Sequence, residues 1–545
     1  MYITNMELIK QKLTAEGRLS TSDIIKQILK DEDANPAKRY MAVGKQYYDG
    51  AHDILQHDFR QSWVYDEVGT AAGIDRSGHL ITNENNSNHH NVHNIYQQQV
   101  DQKTAYIVGK PPSVTVEGAE DHSELKSFED AVTAVTSDEE FADTLNDYVT
   151  GASNKGVEWL HVYYDKAGML QYVVTPAEEV IPFYDSVYQK ELVELIRYYS
   201  VAVVADGKET LRKKIEWWTK ENVTYYEESE SGDYILDQAR SLNPAAHWYK
   251  ITSKDGLVTR REPHGWGRVP FIPLYNNGRH ASDLTRIKGL QDAYNLISSA
   301  STNNQIDLVE LYWIVQGYGG ETAKAIQRKL QMNKAVSISD PQGKVSAEQV
   351  TLGVQDRLAW LDMLRSDMYS LGMAIDTTAD KFATAPSGVA LKFLYTPLDQ
   401  KANMLVVKLK RALKEFMWFV AQDINLKQGT DYDSSLIRVD VNKTVITNDA
   451  ETVTMIQQSQ GIVPDTILLA KHPFVDDVNQ ALKRPRKSSG RKQQNAFWTA
   501  TSRREMERVK MNEVLGLLGK TGAGTRSAGP KNCKPGDCER HSSRL

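Results

Sequence analysis

Between residues 398 and 426 the chain carries its strongest folding constraint. Leu405, Leu409, Leu413, Phe416, Val420 and Ile424 recur at intervals of three or four. That spacing places them on one stripe of a helix. At about 1.5 Å per residue the segment spans roughly 43 Å. A stripe of that length has to be covered, so other elements must be built along it. Lys401, Lys408, Arg411 and Lys414 fall mostly off the stripe.

Two shorter amphipathic helices precede this spine. In the first, at about 282–301, Ile287, Leu290, Tyr294 and Ile297 share a face, and Ser282 or Asp283 can cap its start. In the second, at about 355–373, Leu361, Leu364, Met368 and Leu371 step in the same way. Residues 309–354 lie between them. There "LYWIVQGYGG", "KAVSIS" and "EQVTLG" are short alternating runs around Gly and Asp-Pro turns, with "ETAKAIQRKL" as a helix. Two helices of similar length around a compact insertion predict a two-legged stalk bearing a small head. The segment 375–391 reads as a loop that ends in a helix start at Ser387.

The N-terminal third supplies helices and then a sheet. Thr21, Ser22 and Asp23 can cap a helix carrying Ile24, Ile25 and Ile28. "TNENNSNHHNVHN" (82–94) reads as a polar loop. "NIYQQQVDQKTAYIVGKPPSV" (94–114) begins as a helix, and Gly109, Pro111 and Pro112 stop it. From about 157 to 265, runs rich in Tyr, Trp, Val and Thr alternate with turns, including a hairpin around Asp165–Gly168. The fold class is therefore α+β, with an antiparallel sheet. "LIRVDVNKTVITN" is a further β-run, and a helix–turn–helix follows it.

Charge narrows the function. Residues 483–545 carry 16 Lys and Arg against 5 Asp and Glu, a net of +11. The preceding residues carry 49 against 66, a net of −17. An acidic body argues against tight wrapping of nucleic acid, because neutralising phosphate needs cations. The basic tail, with "KRPRKSSGRK", could bind nucleic acid or be a solvated end. No apolar run approaches the roughly 18–20 residues of a membrane helix. Both cysteines, Cys533 and Cys538, lie in the tail, so the body carries no disulfide.

Catalytic signatures are weak. His89, His90 and His93 cluster, but without the adjacent Glu of an HExxH zinc site, and they read as loop. "GLLGKTGAGTR" lacks the first glycine of a phosphate loop, where Val514 stands. "CKPGDC" has too few neighbouring ligands for zinc. Asp376, Asp380, Asp476 and Asp477 show no spacing that predicts a two-metal centre. Two readings compete with a structural role: a metal-dependent DNA-processing enzyme, and a DNA-binding module working through the tail.

Several segments, in order, resemble bacteriophage portal proteins, in the branch common in long-tailed phages of Gram-positive bacteria. They are "NIYQQQVDQKTAYIVGKPPSV", "EWLHVYYDKAGMLQYVVTPAEEVIPFYD", "HGWGRVPFIPLYNN", "SDLTRIKGLQDAYN", "SGVALKFLY" and "GIVPDTILLAKHPFVDD". The resemblance covers about 40–480. Beyond 482 the basic, Gly-rich sequence departs from the family's pattern. The resemblance implies a structural protein without catalysis or cofactor, forming a closed ring, typically a dodecamer, at one capsid vertex. Double-stranded genome DNA would pass through it, and it would meet the large terminase, head–tail adaptors, and capsid and scaffold proteins. Its place would be the virion, with assembly in the host cytoplasm.

The implied layout is an N-terminal helical region and wing sheet (1–281), a first stem helix (282–308), a clip (309–354) and a second stem helix (355–374). A channel loop (375–391), a spine helix and wing strand (392–444), a helical crown (445–482) and the tail (483–545) complete it. The implied channel-loop residues are Asp376, Asp380, Lys381, Phe382, Thr384, Ser387 and Gly388. Tyr318, Gly319, Gly320, Lys334 and Asp340 would present the clip to partners. Ile287, Leu290, Tyr294, Leu361, Leu364 and Met368 would pack the stem.

Overall fold

The structure is a computed structural model. It describes residues 6–475, apart from 18–19, 71–72, 85, 186–190, 206–207, 255–256, 308–310, 317–343, 350–353, 378–387, 445–448, 471 and 473. The chain divides into two units, Met1–Thr447 and Asn448–Leu545.

The first unit opens with helices α1 (Met6–Ala15), α2 (Thr21–Asp33) and α3 (Pro36–Tyr48). Ser20, one residue before the expected cap, accepts the Asp23 amide at the start of α2. A two-stranded ribbon follows, β1 (Gln61–Thr70) with β2 (Gly73–Thr82). Helix α4 (Ile95–Val108) is capped by Asn94, whose side chain accepts from the Gln97 amide. It stops at Gly109, where a side chain would run into the Ala105 carbonyl and Thr444. After β3 (Ser113–Val116) come α5 (Ser123–Thr136) and α6 (Glu139–Lys155). Helix α6 ends in Gly156 at φ 88°, a left-handed position that glycine adopts without penalty.

The sheet region then unfolds in order. Strands β4 (Val157–Tyr164) and β5 (Leu170–Thr175) form the expected hairpin. Next come β6 (Val180–Tyr184), β7 (Leu192–Ala205), β8 (Lys208–Trp218), β9 (Asn222–Glu228), β10 (Tyr234–Leu236) and β11 (Ala245–Ala246). They make an antiparallel sheet in the order β10-β9-β8-β7-β6, with β11 on β9. Strands β12 (Trp248–Lys254) and β13 (Leu257–His264) pair as a ribbon, and β14 (Phe271–Tyr275) adds to β4.

Helix α7 (Lys288–Asp307), β15 (Leu311–Gln316) paired with β16 (Lys344–Gln349), and α8 (Val354–Leu371) follow. Helix α9 (Gly388–Gln428) is the spine, and β17 (Ile437–Asp440) pairs with β3. The second unit contributes α10 (Asp449–Ser459) and α11 (Asp465–Ala470).

The stripe of α9 organises the main core. Leu405, Leu409, Leu413, Phe416, Val420 and Ile424 are all buried. They are covered by Phe128 of α5, by Phe141, Leu145 and Tyr148 of α6, and by Leu160, Val162, Ile272 and Leu274 of the β4–β14 pair. Each such side chain contributes about 1.5–3 kcal/mol by leaving water. Strand β4 is buried along most of its length. Its Trp159 packs toward the larger sheet through Val180, Leu195 and Trp218.

One expectation is corrected here. The spine is longer than its apolar stripe, because it starts at Gly388, next to the helix start read at Ser387, and runs through Pro397. Gly388 therefore belongs to the helix and not to the channel loop in which the resemblance placed it. Proline lacks the amide that would bond the residue 393 carbonyl, so the helix carries it with that backbone bond unmade. Lys401, off the apolar stripe, is nevertheless buried, at 3% exposed.

Candidate functional site

Helices α7 and α8 meet around a small apolar cluster. It joins Ile287, which ends the Asp283–Arg286 turn, and Met368 of α8 to Tyr47, Tyr96, Val100 and Leu284. Leu290 and Tyr294 pack against it half-buried. Leu364 is buried, whereas Leu361 is half-exposed. Much of α8 faces outward, with Trp360, Met363 and Leu371 exposed.

Helix α4 clamps the C-terminal end of α8. Gln98 accepts from the Tyr369 hydroxyl at 2.6 Å, and Gln99 donates to the Met368 carbonyl at 3.1 Å. Gln102 accepts the Ile375 amide at 2.8 Å and donates to the Ile375 carbonyl at 3.0 Å. One side-chain amide thus satisfies both backbone groups of a residue, as a neighbouring strand would. Asp376, which the resemblance implies for a channel loop, is held by Arg365 of α8 through two bonds of 3.1 and 3.0 Å. Such a fork-to-fork pair fixes orientation as well as position.

Next to this clamp lies a buried charge hub. Lys103 of α4 donates to Asn276 at 2.5 Å and to Asp283 at 2.9 Å. Lys401 of α9 lies 3.2 Å from the same Asp283 oxygen and donates to the Gly372 carbonyl at 2.9 Å. Asn276 also donates to Asp283 at 2.9 Å. Burial pushes the Lys103 ammonium down to about 8, against the pull of Asp283. Burial alone would raise Asp283, but Lys103 and Lys401 outweigh it and hold the carboxyl well below its usual range. Two ammonium groups share one carboxylate, so four chain segments are tied at a point where losing a partner is costly.

The polar loop is a strap along α7. The Ser87, His89, Asn91 and His93 amides donate to Asp307, Asn303, Ser299 and Asn295 at 2.8–3.1 Å. Asn303 and Gln291 donate back to the His89 and His93 carbonyls. The helix partners are four residues apart and the strap residues two apart. Those repeats are about 6.0 Å and 6.6 Å, so the two ladders stay in register over four rungs. His89 engages through its backbone, the His93 ring also lies 3.0 Å from the Ser298 hydroxyl, and the His90 ring lies 2.7 Å from the His57 carbonyl. Among the described residues no three His, Cys, Asp or Glu side chains are grouped to hold a metal.

The remaining expected positions, Asp380, Lys381, Phe382, Thr384 and Ser387, and Tyr318, Gly319, Gly320, Lys334 and Asp340, lie outside the described residues. Sequence reasoning missed Gln98, Gln99, Gln102, Lys103, Asp283 and Lys401 as a unit. The signal available was the run of glutamines with a lysine on one helix.

Comparison with known proteins gives a consistent result. The family model described as phage portal protein, SPP1 Gp6-like, matches residues 26–495. The portal protein of Bacillus phage SPP1 is 31% identical over 414 residues, covering 75% of this chain and 78% of the relative. The portal protein of Clostridium phage phiCD119 is 27% identical over 414 residues, covering 73% of this chain and 84% of the relative.

Proposed function

The chain belongs to the SPP1 Gp6-like family of phage portal proteins, and from that premise we propose that it forms the ring at one capsid vertex through which genome DNA is packaged and ejected. The observation that carries this reading is the family match over residues 26–495, which takes in the sheet region, the helix pair and the long helix α9. In this reading α7 and α8 are the stem, 309–354 is the clip that meets terminase and head–tail connectors, and 375–391 lines the channel. The second unit starts the crown. The protein serves as conduit and platform, and the energy for packaging comes from a partner ATPase.

The chemistry of the chain suits this task. A body of net charge −17, repeated around a ring, repels phosphate and lets DNA slide instead of holding it. The clamp of α4 on residues 368–376 gives the channel segment a fixed root beside the spine. A ring closes through heterologous contacts, in which different faces of one subunit meet. Native mass spectrometry with negative-stain imaging of the purified protein tests the reading. A closed ring with a central hole is expected; a monomer or dimer at every salt concentration would overturn it.

A further inference from the structure

The turn that leaves α8 contains a backbone conflict. Met373 has φ 53°, in the left-handed region that disfavours side chains. The glycine that would relieve it stands one position earlier. Gly372 has to be glycine, because a Cβ there would run into the Gln99 side-chain oxygen and the Met368 carbonyl. Two adjacent positions each call for glycine, one for close approach and one for a left-handed turn, and only the first has it.

Contacts from four segments hold the strained turn. Gly372 and Ala374 donate back to the Met368 and Tyr369 carbonyls at 2.9 and 3.0 Å. Gln102 holds Ile375, Arg365 holds Asp376, and the Arg286 guanidinium lies 2.9 Å from the Met373 sulfur. Lys401 reaches from the Gly372 carbonyl to Asp283, at the head of α7. Strained residues persist where their surroundings over-determine them, and such places are often working parts.

We propose that Gly372–Asp376 is a loaded hinge. The Arg365–Asp376 pair is its clasp, and Lys401 passes its setting to the start of α7 through Asp283. When the clasp opens, Met373 leaves the left-handed region and the Gly372 carbonyl turns away from Lys401. The buried ammonium then depends on Asp283 alone, so the Asp283–Ile287 turn loosens as well. The tail end of one helix of the pair is thereby coupled to the head of the other. This goes beyond the portal reading and holds for the single subunit.

The test is amide hydrogen exchange by mass spectrometry on the full chain. Peptides covering 368–377 and 282–290 are followed in Arg365→Gln, Asp376→Asn and Arg365→Gln with Met373→Gly. Either clasp variant should raise exchange about ten-fold in both peptides, while the α9 core stays unchanged. Adding Met373→Gly should return about five-fold of that protection, because glycine removes the left-handed penalty. A rise confined to 368–377 would overturn the relay. No recovery with Met373→Gly would overturn strain as the driving force. Because Arg365 and Asp376 each keep part of their side chains in water, and each variant opens the clasp from a different side, one folded variant suffices. Ring formation is read separately, so failure of the hinge and failure of the portal reading are distinguishable.

Discussion

Lys103 and Asp283 differ in what their loss leaves behind. Asp283→Asn leaves two buried ammonium groups without a counter-charge, whereas Lys103→Met leaves the Asp283–Lys401 pair intact. Removing one side of a buried pair costs about 3–5 kcal/mol. Asp283→Asn should fall in that range and Lys103→Met below about 2 kcal/mol, read by denaturant unfolding of the subunit. A reversed order would contradict the hub. The acid response is set by histidines that full or partial burial keeps neutral. Burial pushes His161 down to about 3 and His247 and His280 to about 4. Between those values and their usual 6.5 the unfolded chain binds more protons, so stability is lost as pH falls through that window. Glu158, which burial raises to about 7, acts in the opposite sense between 4.5 and 7. Burial also holds Glu415 and Asp147 up and the His52 and His93 rings down. Five histidines thus stand against three carboxyls, so the melting temperature should drop from pH 6.5 to pH 4; a rise would contradict the assignment.

At the scale of elements, the strap ladder makes a sharp prediction. Asn295 is fully buried, accepts the His93 amide and faces the His52 ring at 2.7 Å. Asn295→Leu leaves those groups unpaired and should cost about 1–3 kcal/mol per group, with faster amide exchange in 87–93. Unchanged exchange there would contradict the ladder. The same elements show what was legible in the sequence. The long spine and the two short helices follow from apolar spacing, which is local. The polar stripe Gln291, Asn295, Ser299, Asn303 and Asp307 was equally visible, but alone it reads as a face in water. Its partner lies some 200 residues away, and nothing local identifies it. The burial of Lys401 was hidden for the same reason, since its carboxylate, Asp283, comes from a distant turn. The glutamines of α4 and the ribbon β1–β2 were likewise not interpretable without their neighbours.

At the scale of the whole molecule, the outward face of α8 is where ring assembly should be sensitive. Trp360 is 57% exposed and Leu371 56%, an unusual commitment of large apolar groups to water in one subunit. Trp360→Asp should leave the folded subunit intact and lower the ring fraction at least ten-fold by native mass spectrometry. Normal assembly would place the interface elsewhere. In the proposed ring the clamped helix pair surrounds a DNA channel. Electron cryo-microscopy of the purified assembly tests it most directly. A closed ring in which α7 and α8 surround the central hole and residues 372–376 lie beside it is expected. A ring with these helices on its outer rim, or no ring at all, would contradict it.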